Sequence, residues 1–220
     1  IHRKKIKLAG LPEAFKGLKI LQISDIHSGS FWDREAVAQG IKLINEQQAD
    51  VVFFTGDIVN DRSDELVPWM DLFSQIKAPM GVFSTLGNHD YGDYVPWPTP
   101  EAKRKNLSDL ISYHKEMGWD ILNDEHRVLE KDGQKLTIVG VQNWSAKARF
   151  PKYGNLEKAM DGAPKDTVKI LLSHDPSHWR EQVVVVLGGL RGALPIALAV
   201  SILPVEVGGE ENRRLIVDFT

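Results

Sequence analysis

The segment FSTLGNHD, residues 83–90, carries an apolar run to a glycine and then to three polar residues that can bind protons or metal ions. In three other segments an apolar run likewise ends at such residues: ILQIS at 20–24 before Asp25 and His27, VVFFTG at 51–56 before Asp57, and VKILLS at 168–173 before His174. Nearly continuous apolar, β-branched runs are typical of buried strands. The pattern therefore predicts four strands that each end in a candidate metal ligand.

Helical patterns alternate with these strands. Asp33 is a predicted N-cap, and Val37, Ile41 and Ile44 form one apolar stripe behind it. The remaining predicted elements are helices over 64–76, 101–117 and 155–160, and paired strands over 120–130 and 134–141. Such alternation favours an α/β fold with a largely parallel sheet, and ligands of such sheets bind outside the carboxyl ends of the strands. All the candidate ligands follow those ends.

Two other features of the same region are interpreted as structural. His114 falls on the apolar stripe of the helix at 101–117, so it is interpreted as a packing residue and not as a ligand. The segment 91–100, rich in proline and aromatic residues, is interpreted as an ordered surface loop, the alternative being that its residues rim the site.

Composition limits the possible functions. The 220 residues suffice for one sizeable domain, and the net charge of −3 disfavours a broad surface for nucleic acid. Because the chain has no cysteine, thiolate sites are excluded, and a metal would be held by carboxylate, imidazole and amide oxygen. The basic opening, residues 2–7, is interpreted either as a frayed terminus or as the flank of a missing membrane helix.

The candidate ligands have a combined chemistry that each alone lacks. Asp25 and His27 are two residues apart, so in an extended segment they would point the same way and reach one ion. The carboxylate of Asp57 could bridge two ions, while Asn88 offers an amide oxygen and His174 an imidazole. Two metals about 3.5–4 Å apart would clamp a phosphoryl group. Taken singly, each residue also fits an N-cap, a turn or a structural hydrogen bond.

Two further residues fit proton transfer. His89 is adjacent to a candidate ligand and could protonate a leaving oxygen, with Asp90 orienting its ring.

Four motifs resemble those of the calcineurin-like metallophosphoesterase family: Asp25-Ile26-His27, Gly56-Asp57-Ile58-Val59-Asn60, Gly87-Asn88-His89-Asp90 and Ser173-His174-Asp175. The resemblance covers about residues 8 to 182 and is strongest to membrane-associated bacterial members. It implies a four-layer fold, a β-sandwich flanked by helices, with two divalent metal ions (Mn, Fe or Zn). It also implies a soluble domain at the membrane surface that acts on a phosphorylated small molecule or a phospholipid-like substrate.

The same resemblance implies a role for each motif residue. Asp25 and His27 would bind the first metal, Asp57 would bridge, and Asn88 and His174 would bind the second metal. His89 with Asp90 would assist protonation.

The family motif Gly-His-x-His is missing from the sequence after His174. The only later histidine is His178. The segment from Val183 to Leu203 is largely apolar and has one charged residue, Arg191. It is long enough to span a bilayer, and it resembles a membrane segment of sodium/proton antiporters. Either residues 1–182 form an incomplete phosphoesterase domain with a foreign tail at 183–220, or 183–203 is divergent core with a strand at 183–187. The alternative to an active phosphoesterase is therefore an inactive truncated or chimeric domain.

Overall fold

The computed structural model describes residues 2–6, 8, 10–145, 151–175, 196–197 and 214–219. Its strands are β1 (His2–Ile6), β2 (Lys19–Ile23), β3 (Val51–Thr55), β4 (Val82–Thr85), β5 (Asp120–Ile121), β6 (Glu125–Lys131), β7 (Gln134–Gly140), β8 (Val168–Leu172), β9 (Ile196–Ala197) and β10 (Arg214–Phe219). Its α-helices are α1 (Arg34–Asn45), α2 (Met70–Phe73), α3 (Pro100–Glu116) and α4 (Leu156–Met160).

The described strands form two sheets. The first has the order β1-β10-β2-β3-β4-β5, in which β2 to β5 run parallel and β10 runs antiparallel to β2. The second has the order β6-β7-β8-β9, with an antiparallel β6–β7 pair and parallel neighbours beyond it. The predicted largely parallel sheet is confirmed, and it is one half of a two-sheet architecture.

The hydrophobic core places these sheets between helices. Successive residues of a strand point to opposite faces, so Ile20 and Leu21 of β2 enter different clusters. Ile20 packs in a cluster with Ile170 of the second sheet, whereas Leu21 shares a cluster with Ile41 of α1 and residues of α3. A third cluster packs α4 against the end of β7. The resulting order of layers, helix, sheet, sheet, helix, confirms the predicted four-layer fold.

Two predicted elements differ in the structure. The helix predicted over 64–76 is instead two 3-10 turns, Ser63–Glu65 and Val67–Trp69, followed by the short α2. Pro68 explains the difference, because proline lacks an N–H and disfavours α-helical geometry in the preceding residue. The strand predicted over 120–130 is divided at Asp124, whose φ of +59° turns the chain from β5 in the first sheet to β6 in the second.

The predicted membrane-like segment, residues 183–203, and the alternative strand at 183–187 lie outside the described residues, apart from β9. In the part of the chain that the structure describes, no helix has both the length and the apolar character needed to cross a bilayer. The division of the chain at residue 182 therefore stays a prediction.

His114 is a buried histidine on α3. Its side chain is fully enclosed, with Nδ1 3.0 Å from Ser84 Oγ and the ring centroids of Phe54 and Trp119 within 6.0 Å and 5.6 Å. The burial confirms that it is a packing residue. Because burial penalises the charged imidazolium, the pKa of His114 is lowered from 6.5 to about 3.

His114 should make the protein less stable in acid. Below its ordinary pKa of 6.5 the unfolded chain takes up a proton at His114, whereas the folded chain takes up none until about pH 3. In this window the group therefore lowers the free energy of unfolding by about 1.4 kcal/mol for each pH unit of acidification. Urea unfolding between pH 7 and 4.5 should show this contribution as the difference between the wild type and His114→Asn. Parallel curves for the two proteins would contradict the assignment.

Candidate metal centre

Three parallel strands of the first sheet deliver four of the five candidate ligands to one edge, and the remaining ligand, His174, follows β8 of the second sheet. Ile23 of β2 pairs with Phe54 of β3, and Thr55 of β3 pairs with Thr85 of β4, so the segments that follow these strands meet. The segment after β2 is tied to the segment after β3, because Asp25 N donates to the Gly56 carbonyl at 2.9 Å and His27 N to that of Asp57 at 3.1 Å. Backbone hydrogen bonds thus hold the candidate ligands in place.

The same segments adopt left-handed backbone conformations. Asp25, His27 and Asp57 have φ values of +53°, +49° and +59°. Aspartate, asparagine and histidine occupy this region more often than other non-glycine residues. The sequence-based premise that Asp25 and His27 lie in an extended segment is therefore wrong. Their side chains still converge on Asp57, because the turns that follow β2 and β3 run side by side.

Gly56 and Gly87 allow the strand ends to approach closely. A Cβ atom on Gly87 would lie 2.2 Å from Asp57 Oδ1, and one on Gly56 would lie 2.4 Å from Gly87 N. The partner atoms include backbone, which cannot move aside without shifting the whole turn. A glycine before Asp57 and another before Asn88 are therefore required by the contact between the two motifs.

Asp57 is the centre of two groups of potential metal donors. One group is His27, Asp57 and His89, and the other is Asp25, Asp57 and His174; within each group the donor atoms lie within 4.8 Å of one another. Asp57 Oδ2 is 3.7 Å from His27 Nε2 and 3.3 Å from His174 Nε2. Among the residues that the structure describes, Asp57 thus links both groups.

The fifth predicted ligand, Asn88, joins the second group. Its Oδ1 is 3.1 Å from His174 Nε2. Asp57, Asn88 and His174 therefore direct two oxygens and one nitrogen toward a common point, and such O and N donors suit divalent transition metals. The donor set fits a metal ion, and all five predicted ligands have been brought together.

Backbone carbonyls orient two of the histidine rings. Nδ1 of His174 lies 2.8 Å from the Thr55 carbonyl oxygen, and Nδ1 of His89 lies 2.6 Å from that of Asn60. A carbonyl oxygen only accepts, so each Nδ1 carries a proton and donates it. Nε2 of each ring is left to face the centre. For His174, a predicted ligand, this is how a hydrogen bond outside a metal site orients the ring, and for His89 it leaves Nε2 for the predicted proton transfer.

Asp57 and His174 stabilise each other's charge. Burial lowers the pKa of His174, but the hydrogen bond with Asp57 and the charges of Asp57 and Asp25 outweigh it and raise that pKa to about 9. Burial raises the pKa of Asp57, and the hydrogen bond and charge of His174 outweigh it, so that this pKa is lowered. At neutral pH the metal-free pair is therefore ionised, and a metal would take the position of the Nε2 proton.

Asp90 holds the backbone of the turns that carry the candidate ligands. It is fully buried, and its Oδ2 accepts hydrogen bonds from Gly87 N and Asp57 N, both at 2.8 Å. Its Oδ1 accepts from Ile58 N at 2.9 Å and from Val59 N at 3.3 Å. Burial and the charge of Asp57 raise the pKa of Asp90 to about 7, while the N–H donors favour the carboxylate.

The contacts of Asp90 differ from the predicted ones. Sequence reasoning had Asp90 orient the His89 ring, but the described contacts connect it to the backbone after β3 and β4, and the Asn60 carbonyl holds the ring. Asp90 therefore positions the turns that carry the ligands. Its role in protonation stays a prediction.

Sequence reasoning gave no supporting role to three residues, one of which, Asn60, belongs to a quoted motif. Asn60 contributes its carbonyl, and Glu65 holds Asn60 in place by accepting hydrogen bonds from Asn60 N at 2.6 Å and Arg62 N at 3.1 Å. Tyr94 accepts a hydrogen bond from Asn88 Nδ2 at 2.8 Å. A backbone carbonyl has no residue signature, and Tyr94 lies in the segment interpreted as a surface loop.

Curated relatives match this chain over part of their length. A metallophosphoesterase of Bacillus subtilis (strain 168), YkuE, is 36% identical over 175 residues, covering 78% of this chain and 55% of the relative. A zebrafish (Danio rerio) transmembrane protein with a metallophosphoesterase domain is 28% identical over 179 residues, covering 78% of this chain and 38% of the relative. A UDP-2,3-diacylglucosamine pyrophosphatase of Chlamydia trachomatis, LpxG, is 36% identical over 89 residues, which cover 39% of this chain and 27% of the relative. The chain thus spans only part of the length of these relatives.

Fold comparison and family assignment agree. The crystal structure of TT1561 of Thermus thermophilus shares the fold with a TM-score of 0.50 at 16% identity, over 79% of each chain. Residues 18–195 match the family described as calcineurin-like phosphoesterase. The chain therefore belongs to the calcineurin-like phosphoesterases, a family of hydrolases that use divalent metal ions.

Proposed function

We propose that this domain is a dinuclear metal-dependent phosphoesterase that hydrolyses a phosphomonoester or a phosphodiester. The observation that carries the proposal is the position of Asp57, whose carboxylate belongs to both groups of donors. A carboxylate shared between two such groups suits two adjacent ions, and two adjacent ions suit in-line displacement at phosphorus.

The proposed ligands follow from the contacts of Asp57. Asp25 and His27 with Asp57 would hold one ion, and Asn88 and His174 with Asp57 would hold the other. Asp25 also lies within reach of His174, so its carboxylate is close to both positions. Divalent metal ions at these positions would polarise a phosphoryl oxygen and lower the pKa of an attacking water. Mn, Fe and Zn are the proposed ions, because the donors are carboxylate, imidazole and amide.

His89 is the proposed proton donor to the leaving oxygen. The Asn60 carbonyl holds its Nδ1, and its backbone N–H donates to Asp57 Oδ1 at 2.9 Å, so the residue is fixed at two points. Its ring packs edge-on against His27, with centroids 4.8 Å apart. Nε2 is therefore kept beside the proposed first metal, where in the imidazolium form its N–H would give a proton to the leaving oxygen of a bound phosphate ester.

A lipid-linked substrate at a membrane surface is the substrate class that we propose. One relative is named a pyrophosphatase of UDP-2,3-diacylglucosamine, and relatives from zebrafish and cattle are named transmembrane proteins. Preference for a diacylated nucleotide sugar in detergent micelles over soluble p-nitrophenyl phosphate would support this class. An equal or lower rate on the lipid would contradict it.

The metal requirement and His27 test the proposed reaction together. The wild type stripped with EDTA should hydrolyse bis(p-nitrophenyl) phosphate or p-nitrophenyl phosphate only after Mn²⁺ is restored. His27→Asn should lower this activity by at least about tenfold. Loss of a residue that only orients a metal ligand already lowers activity by that factor, and loss of a direct ligand should lower it at least as much. Asparagine tolerates the left-handed conformation at this position, so the loss reports the imidazole.

His126 provides the matched control. It lies on β6, where its Nδ1 contacts the Ala159 carbonyl, outside both groups of donors. His126→Asn should keep the wild-type rate. Hydrolysis without metal, or full activity of His27→Asn, would contradict the proposed centre. A wild type that binds Mn²⁺ but hydrolyses none of these substrates would favour the alternative of an inactive domain that lacks the Gly-His-x-His motif.

A further inference from the structure

We propose that Tyr94 is a positioning residue of the candidate metal centre that acts through Asn88. This inference rests on the proposed function only in requiring that the centre binds a metal. The hydroxyl of Tyr94 accepts a hydrogen bond from Asn88 Nδ2 at 2.8 Å, and Asn88 Oδ1 lies 3.1 Å from His174 Nε2. The Tyr94 side chain thus connects the segment 91–100 to Asn88, a proposed metal ligand.

The hydrogen bond helps to hold the amide with its oxygen toward the centre. A carboxamide has an acceptor oxygen and a donor NH₂ of similar size, and rotation about its terminal bond exchanges them at small cost. Only the oxygen can bind a metal ion. A tyrosine hydroxyl can accept or donate, so Tyr94 acts together with His174: the hydroxyl accepts from Nδ2 while His174 Nε2 lies 3.1 Å from Oδ1, and the two contacts orient the ligand before a metal arrives.

Tyr94 also covers the outer side of His89. The centroids of the two rings are 4.7 Å apart at an interplanar angle of 44°, and His27 contacts the same ring with its centroid at 4.8 Å. Tyr94 itself is 46% exposed, so it lies at the rim of the centre. Its position lets it contact both the proposed ligand and the proposed proton donor.

The neighbours of Tyr94 fix its place in the loop. Asp93 accepts a hydrogen bond from Tyr153 Oη at 2.9 Å and forms an ion pair with Lys103 of α3. On the other side, Trp97 Nε1 donates to the Gly92 carbonyl at 2.7 Å. Since both flanks are anchored, the Tyr94 hydroxyl can fix the Asn88 amide without ordering the loop first, which favours a positioning role.

Calorimetric titration with Mn²⁺ alone would test the proposal on the full chain. Tyr94→Phe removes the hydroxyl and keeps the ring, so it should weaken one class of Mn²⁺ sites by about 10- to 100-fold, the range for groups that orient metal ligands. Its melting temperature in the absence of metal should match the wild type. Tyr113→Phe, on the core-facing side of α3, is the control and should bind Mn²⁺ like the wild type.

A double-mutant cycle distinguishes action through Asn88 from a general effect on the site. In an Asn88→Ala background, Tyr94→Phe should cause no further loss of Mn²⁺ affinity, because the amide that it orients is gone. Wild-type affinity of Tyr94→Phe, or the same loss in both backgrounds, would overturn the proposal. Mn²⁺ binding without hydrolysis would count against the proposed reaction and leave this result standing, whereas a wild type that binds no Mn²⁺ would overturn both.

Discussion

The variant Asp57→Asn should lose metal-dependent hydrolysis by about a thousandfold or more, since loss of metal charge stabilisation costs several kcal/mol at the transition state. Asparagine is nearly the same shape as aspartate and tolerates the φ of +59° at this position, so the turn should be preserved. Its Nδ2 would face His27 and His174 where Oδ2 now lies. An NH₂ group cannot bridge two ions, and the negative charge of the centre is reduced.

Three measurements check this result. Calorimetry should show loss of tight Mn²⁺ binding, the melting temperature should stay within a few degrees of the wild type, and NMR titration of metal-free protein should show a lower pKa of His174. The pKa should fall because Asp57 supplies the hydrogen bond and the largest charge that raise it to about 9. Asp109→Asn, which only breaks a surface pair with Lys105, is the control. Undiminished turnover by Asp57→Asn would refute the proposed function.

The variant Asp90→Asn should lose both stability and metal binding. The carboxylate accepts hydrogen bonds from backbone N–H groups at both of its oxygens. An asparagine must place its NH₂ against one pair of these donors, which would leave buried N–H groups without an acceptor. A buried N–H group left without an acceptor costs about 1–3 kcal/mol. For a domain of this size that is roughly 2–4 °C in melting temperature for each kcal/mol.

Asp124 supplies the matched comparison for Asp90. It is also buried, and its Oδ1 accepts from Gln142 N at 3.0 Å and Asn155 N at 2.9 Å, but it is outside both groups of donors. Asp124→Asn should lower the melting temperature and leave Mn²⁺ affinity unchanged, whereas Asp90→Asn should lower both. If Asp90→Asn melted and bound Mn²⁺ like the wild type, the proposed support of the ligand turns would be wrong.

Much of this architecture follows from patterns of apolar and polar residues. The strands before Asp25, Asp57, Asn88 and His174 are where their apolar runs predict them. A parallel strand that is buried on both faces must be apolar over nearly its whole length, so its sequence is easily identified. The prediction failed where one residue changes the backbone locally. At Pro68 the predicted helix is divided into 3-10 turns, and at Asp124 the chain passes from the first sheet to the second.

In the candidate centre, too, the residue types could be predicted from the sequence, whereas the contacts that orient them could not. Asp25, His27, Asp57, Asn88 and His174 were identified from motif spacing, and the structure places them together. The carbonyls of Thr55 and Asn60, which orient the histidines, could not be identified, since any residue supplies a carbonyl. The four-donor environment of Asp90 depends on turns brought together by strand pairing, and no local pattern encodes it.

The left-handed conformations of Asp25, His27 and Asp57 have a consequence for how this domain evolves. Glycine would relieve the local strain at each position, so these residues make the turns less stable than glycine would. Selection for thermal tolerance alone would tend to replace them and produce a sturdier protein without its donors. The three side chains are thus held in a conformation that glycine would adopt more easily, which supports the proposal that these turns serve a functional site.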